Sequence, residues 1–330
     1  MNTRLTDTHA RTVTYLRVSI TDRCNLNCVY CNPSRYAKKL PHDAILSYEE
    51  LLRVIRAGAE MGITKVRVTG GEPLVRRDAC RFLSRVAALP GVTDLSLTTN
   101  GVLLADCVHR IREAGIGRIN ISLDTLDRRR FKTITGHDCF DRVWAGVTAA
   151  LDAGFSPVKL NMVVMPGVND DELEDFAGLA GRWPLHVRFI EQMPVKDHMQ
   201  DFAEPLLAPE IQRRIAERVG ALVPVGGTGD GTTARRFTFD GAKGELGFIN
   251  PVSRHFCGTC NRLRLTADGK LRPCLMADRA LDIRGPLRGG ASDETIRLLL
   301  REVVLQKPAC HGDSADRGFQ LPRQMWSIGG

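Results

Sequence analysis

The chain has 330 residues, 43% of them hydrophobic and 25% charged, with 46 Lys and Arg against 38 Asp and Glu for a net charge of +8. That composition is ordinary for a globular protein and requires neither disorder nor a coiled coil. No apolar run is long enough to span a bilayer, and the polar segment Met1–Thr14 lacks the core of a signal peptide, so a reducing cytoplasm is expected. In that setting the ten cysteines read as metal ligands or redox groups before disulfides. The mild basic excess suits an anionic ligand, and no motif that reads nucleic acid is present.

In chain order, the first two-thirds alternates strand and helix. Strands are expected at Tyr15–Ile20, Lys65–Thr69, Asp94–Thr98, Arg118–Ser122, Val158–Met162 and His186–Glu191. Helices are expected near Ser47–Met61, Asp78–Ala88, Ala105–Ala114, Phe140–Ala153 and Asp170–Trp183. Ser47 with Glu50 has capping-box spacing, and Gly154 is placed as a helix stop. The short run Arg128–Arg130 reads as a solvated charged face. Alternation of this kind implies parallel strands with crossover helices. It breaks at the glycine- and threonine-rich loop Ala221–Thr233, which places a domain change near residue 220. Beyond it lie strands at Arg235–Asp240, Leu246–Ile249 and Asn261–Thr266 and a helix at Asp293–Leu305.

One face of these strands is polar: Arg17 and Ser19; Lys65, Arg67 and Thr69; Ser96 and Thr98; Arg118, Asn120 and Ser122; Lys159 and Asn161. Parallel strands covered on both sides are normally apolar throughout. A cationic inner face therefore implies a cavity for an anionic ligand, with an antiparallel sheet wet on one side as the alternative.

After the first strand, TDRCNLNCVYC sets Cys24, Cys28 and Cys31 at C-x3-C-x2-C. Structural zinc takes four protein ligands. A [4Fe–4S] cluster held by three cysteines leaves one iron open for a small molecule. The turn TGGEP, Thr69–Pro73, follows the second strand, and its glycines allow close backbone approach to a ligand. Cys257, Cys260 and Cys274 form a second three-cysteine set, C-x2-C-x13-C. Zinc completed by a residue such as His255 stays open there on spacing alone. Between them Arg262 and Arg264 share one strand face, where guanidinium groups suit phosphate or a nucleobase.

These motifs resemble the radical S-adenosylmethionine (SAM) superfamily. The stretches TDRCNLNCVYC and TGGEPLVRRD, the segment 251–275 and the final Gly-Gly resemble the GTP 3′,8-cyclase family in particular. The resemblance implies an α/β fold, an incomplete (β/α)6 TIM-type barrel over residues 1–220, and a cluster-binding C-terminal domain over 221–330. It implies two [4Fe–4S] clusters, on Cys24, Cys28 and Cys31 and on Cys257, Cys260 and Cys274. SAM would meet Tyr30, Gly71, Ser122 and Met193. GTP would meet Arg17, Arg67, Thr98, Lys159, Arg262, Leu263 and Arg264, with the Gly329-Gly330 tail assisting catalysis.

The implied reaction removes the ribose 3′ hydrogen of GTP with a 5′-deoxyadenosyl radical and joins C3′ to guanine C8, opening molybdenum-cofactor biosynthesis. The implied partners are a MoaC-type cyclic pyranopterin monophosphate synthase downstream and a cellular electron donor, with no nucleic acid or membrane and a monomer or homodimer. Asn32 and Gln192 depart from residues common in the family. Cys80, Cys107, Cys139 and Cys310 match no ligand position. A peptide-modifying radical-SAM enzyme and a non-enzymatic iron–sulfur or zinc regulator are the competing readings.

Overall fold

The computed structural model describes residues 4–31, 39–193, 204–226, 233–277 and 279–310. Its elements begin with β1 (Tyr15–Ser19), α1 (Tyr48–Glu60), β2 (Lys65–Thr69), α2 (Ala79–Ala87), β3 (Asp94–Thr99), α3 (Val108–Glu113) and β4 (Arg118–Ser122). Two helices, α4 (Arg128–Thr135) and α5 (Phe140–Asp152), precede β5 (Val158–Val164), and α6 (Leu173–Arg182) leads to β6 (Leu185–Glu191). Next come α7 (Ala208–Val219), β7 (Val223–Pro224), β8 (Ala234–Thr238) and β9 (Glu245–Ile249). The remainder is β10 (Arg262–Leu265), β11 (Lys270–Arg272), β12 (Leu281–Asp282), α8 (Arg284–Arg288) and α9 (Asp293–Leu305).

Local chemistry accounts for several ends. Glu50 N donates to Ser47 Oγ at 3.1 Å and Ser47 N donates back to Glu50 Oε2 at 2.6 Å, which starts α1 with the expected capping box. Ser292 caps α9 through Thr295 N, and acidic Asp293 and Glu294 follow in its first turn.

Two readings of the sequence are corrected. The arginine run does lie on an exposed face, as expected, but of a helix the sequence reading left out: it opens α4, capped by Asp127 and ended by Gly136 at φ 76°. Phe131, Ile134 and Thr135 bury the other side, and Arg130 pairs with Asp171 and Glu172. The predicted helix from Asp170 starts as a 3-10 turn, with α-helix only from Leu173.

Strands β1 to β6 lie side by side in chain order, each parallel to the next. They form an incomplete (β/α)6 barrel, because β1 and β6 each pair elsewhere. β10 lies parallel to β1 and β9 parallel to β6. Antiparallel β11 and β12 continue from β10, and β8 and β7 from β9. Among the described residues one sheet thus runs through both ends of the chain. Its apolar face, with Leu16, Val66, Leu97, Ile119, Leu160 and Val187 fully buried, packs beneath helix residues such as Ile55, Phe82 and Phe176.

Candidate active site

The opposite face carries the polar side chains expected from the alternation, and the strand register gathers them into rows. Arg264, Arg17, Arg67, Ser96 and Arg118 are successive partners in one row. Thr98, Asn120, Lys159, His186 and Glu245 form the next. Ser122, Asn161, Arg188, Gly247 and Arg236 form a third. Gly247 is small for a reason: an added Cβ would stand 3.1 Å from Arg188 Cγ and 3.3 Å from Ala234 Cβ.

Asp94 pairs with Lys65 and Arg118 and Glu245 with Arg236, while the His186 ring stands 3.4 Å from Glu245. The cations further along stand close to one another in low dielectric. Burial, followed by Arg188, Arg118, Arg67 and Lys65, pushes Lys159 down to about 6. Burial, then Lys159 and Arg188, pushes His186 down to about 4. Arg188 and Arg264 are each held at about 10, burial first and neighbouring arginines second. Arg17 is driven well below its ordinary value by burial and then by Arg264. Thr98 Oγ1 and Asn161 Oδ1 are buried with no hydrogen-bond partner among the described residues. A face this cationic, with polar atoms left over, is built for a polyanion with further hydrogen-bonding groups.

The first cysteine set lies on the loop leaving β1. Burial, then the charges of Asp124, Cys31 and Cys24, raises the Cys28 thiol well above its usual value, the two other cysteines of the set being close enough to act on it. Leu26 N and Asn100 Nδ2 donate to Cys24 Sγ at 3.4 and 3.6 Å. Donors aimed at sulfur suit thiolate ligands, so the residues fit an iron–sulfur cluster. Asn100 is fixed in turn by Glu72, whose carboxylate accepts from Asn100 N at 2.6 Å, Thr99 Oγ1 at 2.8 Å and Leu74 N at 2.9 Å. Burial lifts Glu72 to about 7. Tyr30 donates to Asp124 Oδ2 at 2.8 Å, and Asp124, raised by burial to about 6, also accepts from Val163 N.

The glycine turn does something the sequence did not suggest. A Cβ on Gly71 would lie 2.7 Å from the Arg23 carbonyl carbon and 3.0 Å from Asp22 O. One on Gly70 would lie 2.9 Å from Thr21 O. Gly71 N donates to Thr21 O and Glu72 N to Arg23 O. These glycines admit the backbone that leads into Cys24.

Cys257, Cys260 and Cys274 line one cavity of about 90 Å³, together with Arg262, Arg264 and Met193. Met276 N donates to Cys274 Sγ at 3.4 Å. Cys260 sits below its ordinary value although burial raises it, because Lys307 and Arg262 outweigh that effect. The set therefore also fits thiolate ligation. His255, the alternative zinc ligand, lines the cavity with its Nδ1 3.2 Å from Pro251 O. Among the described residues no three His, Cys, Asp or Glu side chains surround a single-ion position.

Arg264 faces both Tyr15 on the inner face and Cys260 and Cys274, so this cavity adjoins the cationic rows. Leu263 points the other way, fully buried beside Leu16. Met193, expected near SAM, follows β6 and borders the second cysteine set. Gly329 and Gly330 lie outside the described residues. The sequence reading passed over Tyr15, Arg188 and His186, although Tyr15 precedes the polar positions of β1 by two and the other two continue the alternation on β6.

The family model for the radical SAM superfamily matches residues 18–180, and that for Molybdenum Cofactor Synthesis C matches 185–312. A GTP 3′,8-cyclase of Heliobacterium modesticaldum is 48% identical over 98% of this chain and 99% of its own length. One from Moorella thermoacetica is 47% identical with the same coverage. Among solved structures, SuiB of Streptococcus suis bound to precursor peptide SuiA aligns with a TM-score of 0.65 at 16% identity, over 97% of this chain and 71% of its own. SuiB bound to S-adenosylmethionine aligns at 0.63 and 15%, and the match spans 64% of the SuiB chain against 83% of this one. At these identities the likeness to SuiB is one of fold.

Proposed function

Since the chain belongs to the GTP 3′,8-cyclase family of radical-SAM enzymes, we propose that it converts GTP to (8S)-3′,8-cyclo-7,8-dihydroguanosine 5′-triphosphate, the first step of molybdenum-cofactor biosynthesis. Residues 1–220 hold the SAM cluster on Cys24, Cys28 and Cys31. Residues 221–330 hold a second [4Fe–4S] cluster on Cys257, Cys260 and Cys274. The SAM-bound cluster supplies, when present, a 5′-deoxyadenosyl radical able to take hydrogen from an unactivated carbon.

The carrying observation is the set of cationic rows that runs across the inner face to the second cysteine cavity. Arg17, Arg67, Lys159, Arg262 and Arg264 bind the triphosphate and orient the nucleoside, and Thr98 gives a neutral hydrogen bond. Leu263 contributes backbone only, because its side chain is in the core. Tyr30, Gly71 and Ser122 frame the SAM side, Met193 contacts SAM from the second cysteine cavity that it lines, and the Gly329-Gly330 tail assists catalysis. The product passes to a MoaC-type synthase, and a cytoplasmic electron donor supplies reducing equivalents.

The test is anaerobic turnover with SAM, a reductant and GTP deuterated at C3′. Deuterium is expected in 5′-deoxyadenosine. Unlabelled 5′-deoxyadenosine would remove the 3′ assignment. None at all, from protein with both clusters verified, would remove the enzyme reading.

A further inference from the structure

Lys307, just past α9, is 3% exposed, and it lies among the elements that carry the second cysteine set. Its Nζ donates to Arg262 O at 2.8 Å and to Pro273 O at 2.8 Å, and it stands 3.8 Å from Cys260 Sγ. An ammonium has three protons, and the geometry supplies an acceptor for each. Arg262 O begins β10 and Pro273 O immediately precedes Cys274, so one side chain ties together the chain on either side of two of the three cysteines.

Lys307 is anchored from behind. Arg11 donates to Pro308 O at 2.6 Å, Ala309 O at 3.1 Å and Cys257 O at 2.7 Å. Arg11 is itself held by Asp7 at 2.6 Å, with both side chains buried. The stretch after α9 is thus pinned against the backbone of the third cysteine.

A buried cation is costly unless it faces negative charge. Here the carbonyls offer only dipoles, the Asp7 carboxylate is already paired with Arg11, and the groups beside Lys307 that can carry a further full negative charge are the sulfurs of Cys260 and Cys274. We propose that Lys307 is a positioning residue for the second [4Fe–4S] cluster: its ammonium offsets the charge of the Cys260-ligated cluster and raises its reduction potential, while its two carbonyl bonds hold β10 and the Cys274 turn at the spacing the cluster needs. This rests on the reading that Cys257, Cys260 and Cys274 hold such a cluster. Fixed charge and donors around the sulfurs are established levers on cluster potential.

Two variants separate charge from hydrogen bonding. Lys307→Gln keeps amide donors for the two carbonyls and removes the charge, and Lys307→Arg keeps the charge. Each is reconstituted anaerobically, its iron and sulfide are counted, and the second cluster is titrated by EPR-monitored potentiometry. The expected result is a more negative potential in Lys307→Gln, by at least a tenfold change in the reduction equilibrium, about 59 mV for one electron, with Lys307→Arg near wild type. Loss of about four irons per chain from Lys307→Gln alone, with the far-UV spectrum unchanged, supports the same role. Unaltered iron content and potential in Lys307→Gln overturn it, and so does equal loss in both variants. Wild-type protein that reconstitutes with one cluster only would instead overturn the two-cluster reading, which keeps the two failures distinct.

Discussion

Lys159 is where local electrostatics and substrate binding meet most directly. Its amine is held at about 6 by burial and four nearby cations. A triphosphate placed among them would reverse the balance and favour the ammonium. Binding GTP then takes up a proton whenever the pH lies above about 6 and below the pKa of the bound state. By linkage the affinity should fall as pH rises through that window, at most about tenfold per unit for one proton. The terminal phosphate has a pKa near 6 and gains charge over the same range, which opposes the trend. Lys159→Arg removes the first effect and keeps the second. The expected outcome is therefore in the ratio of Kd values: wild type should weaken relative to Lys159→Arg between pH 6 and 8. A constant ratio would mean that Lys159 does not change its protonation on binding. The inner face was legible at this scale because alternation along a strand needs no tertiary knowledge. The size of the perturbation was not, because it comes from burial first and then from Arg188 and Arg118 on neighbouring strands, all of them products of tertiary structure.

Between elements, the turn after β2 shows where reading the sequence runs out. The motif TGGEP was visible, and its glycines suggested close approach to a ligand. What they approach is Thr21–Arg23, nearly fifty residues earlier in the chain. That contact depends on β1 and β2 lying side by side, which no local pattern encodes. Gly71→Ala would force the loop leading to Cys24 outward, since the nearest atoms are backbone and cannot rotate aside. We expect it to lose the first cluster and keep the second, read as a fall of about half in iron per chain for a protein of two equal clusters. Gly178→Ala, within α6 and with nothing inside 4 Å of its new methyl, should keep full iron content and stabilise the fold by up to about 1 kcal/mol. Full cluster content in Gly71→Ala would mean that the loop can yield. Helix α4 was missed for a different reason. Its sequence RRRFKTIT is dominated by charge, and only Phe131, Ile134 and Thr135 carry the buried stripe. β11 and β12 span three and two residues, too short for a period to register.

At the scale of the molecule, the break near residue 220 marks a change of chain pattern more than a change of sheet. β10 returns to pair with β1, Leu263 against Leu16 and Arg264 against Arg17. β9 pairs with β6, Leu246 against Val187 and Phe248 against Phe189. Both edges of the six-stranded partial barrel are therefore closed by strands from beyond the break. Arg264, which completes the first cationic row, arrives the same way, with Arg262 two residues before it. A fragment of residues 1–220 would keep every β1–β6 pairing and expose two long parallel edges, each an invitation to pair with another chain. It would also leave Leu16 and Val187 without their apolar partners across those edges. We expect the fragment alone to aggregate on size-exclusion chromatography, and co-expression with residues 221–330 to return a soluble complex. A monodisperse 1–220 fragment with a cooperative thermal transition would show instead that the first six strands carry their own stability. In that case β9 and β10 would serve the site alone, by delivering Arg262, Arg264 and the second cysteine set to a barrel already formed.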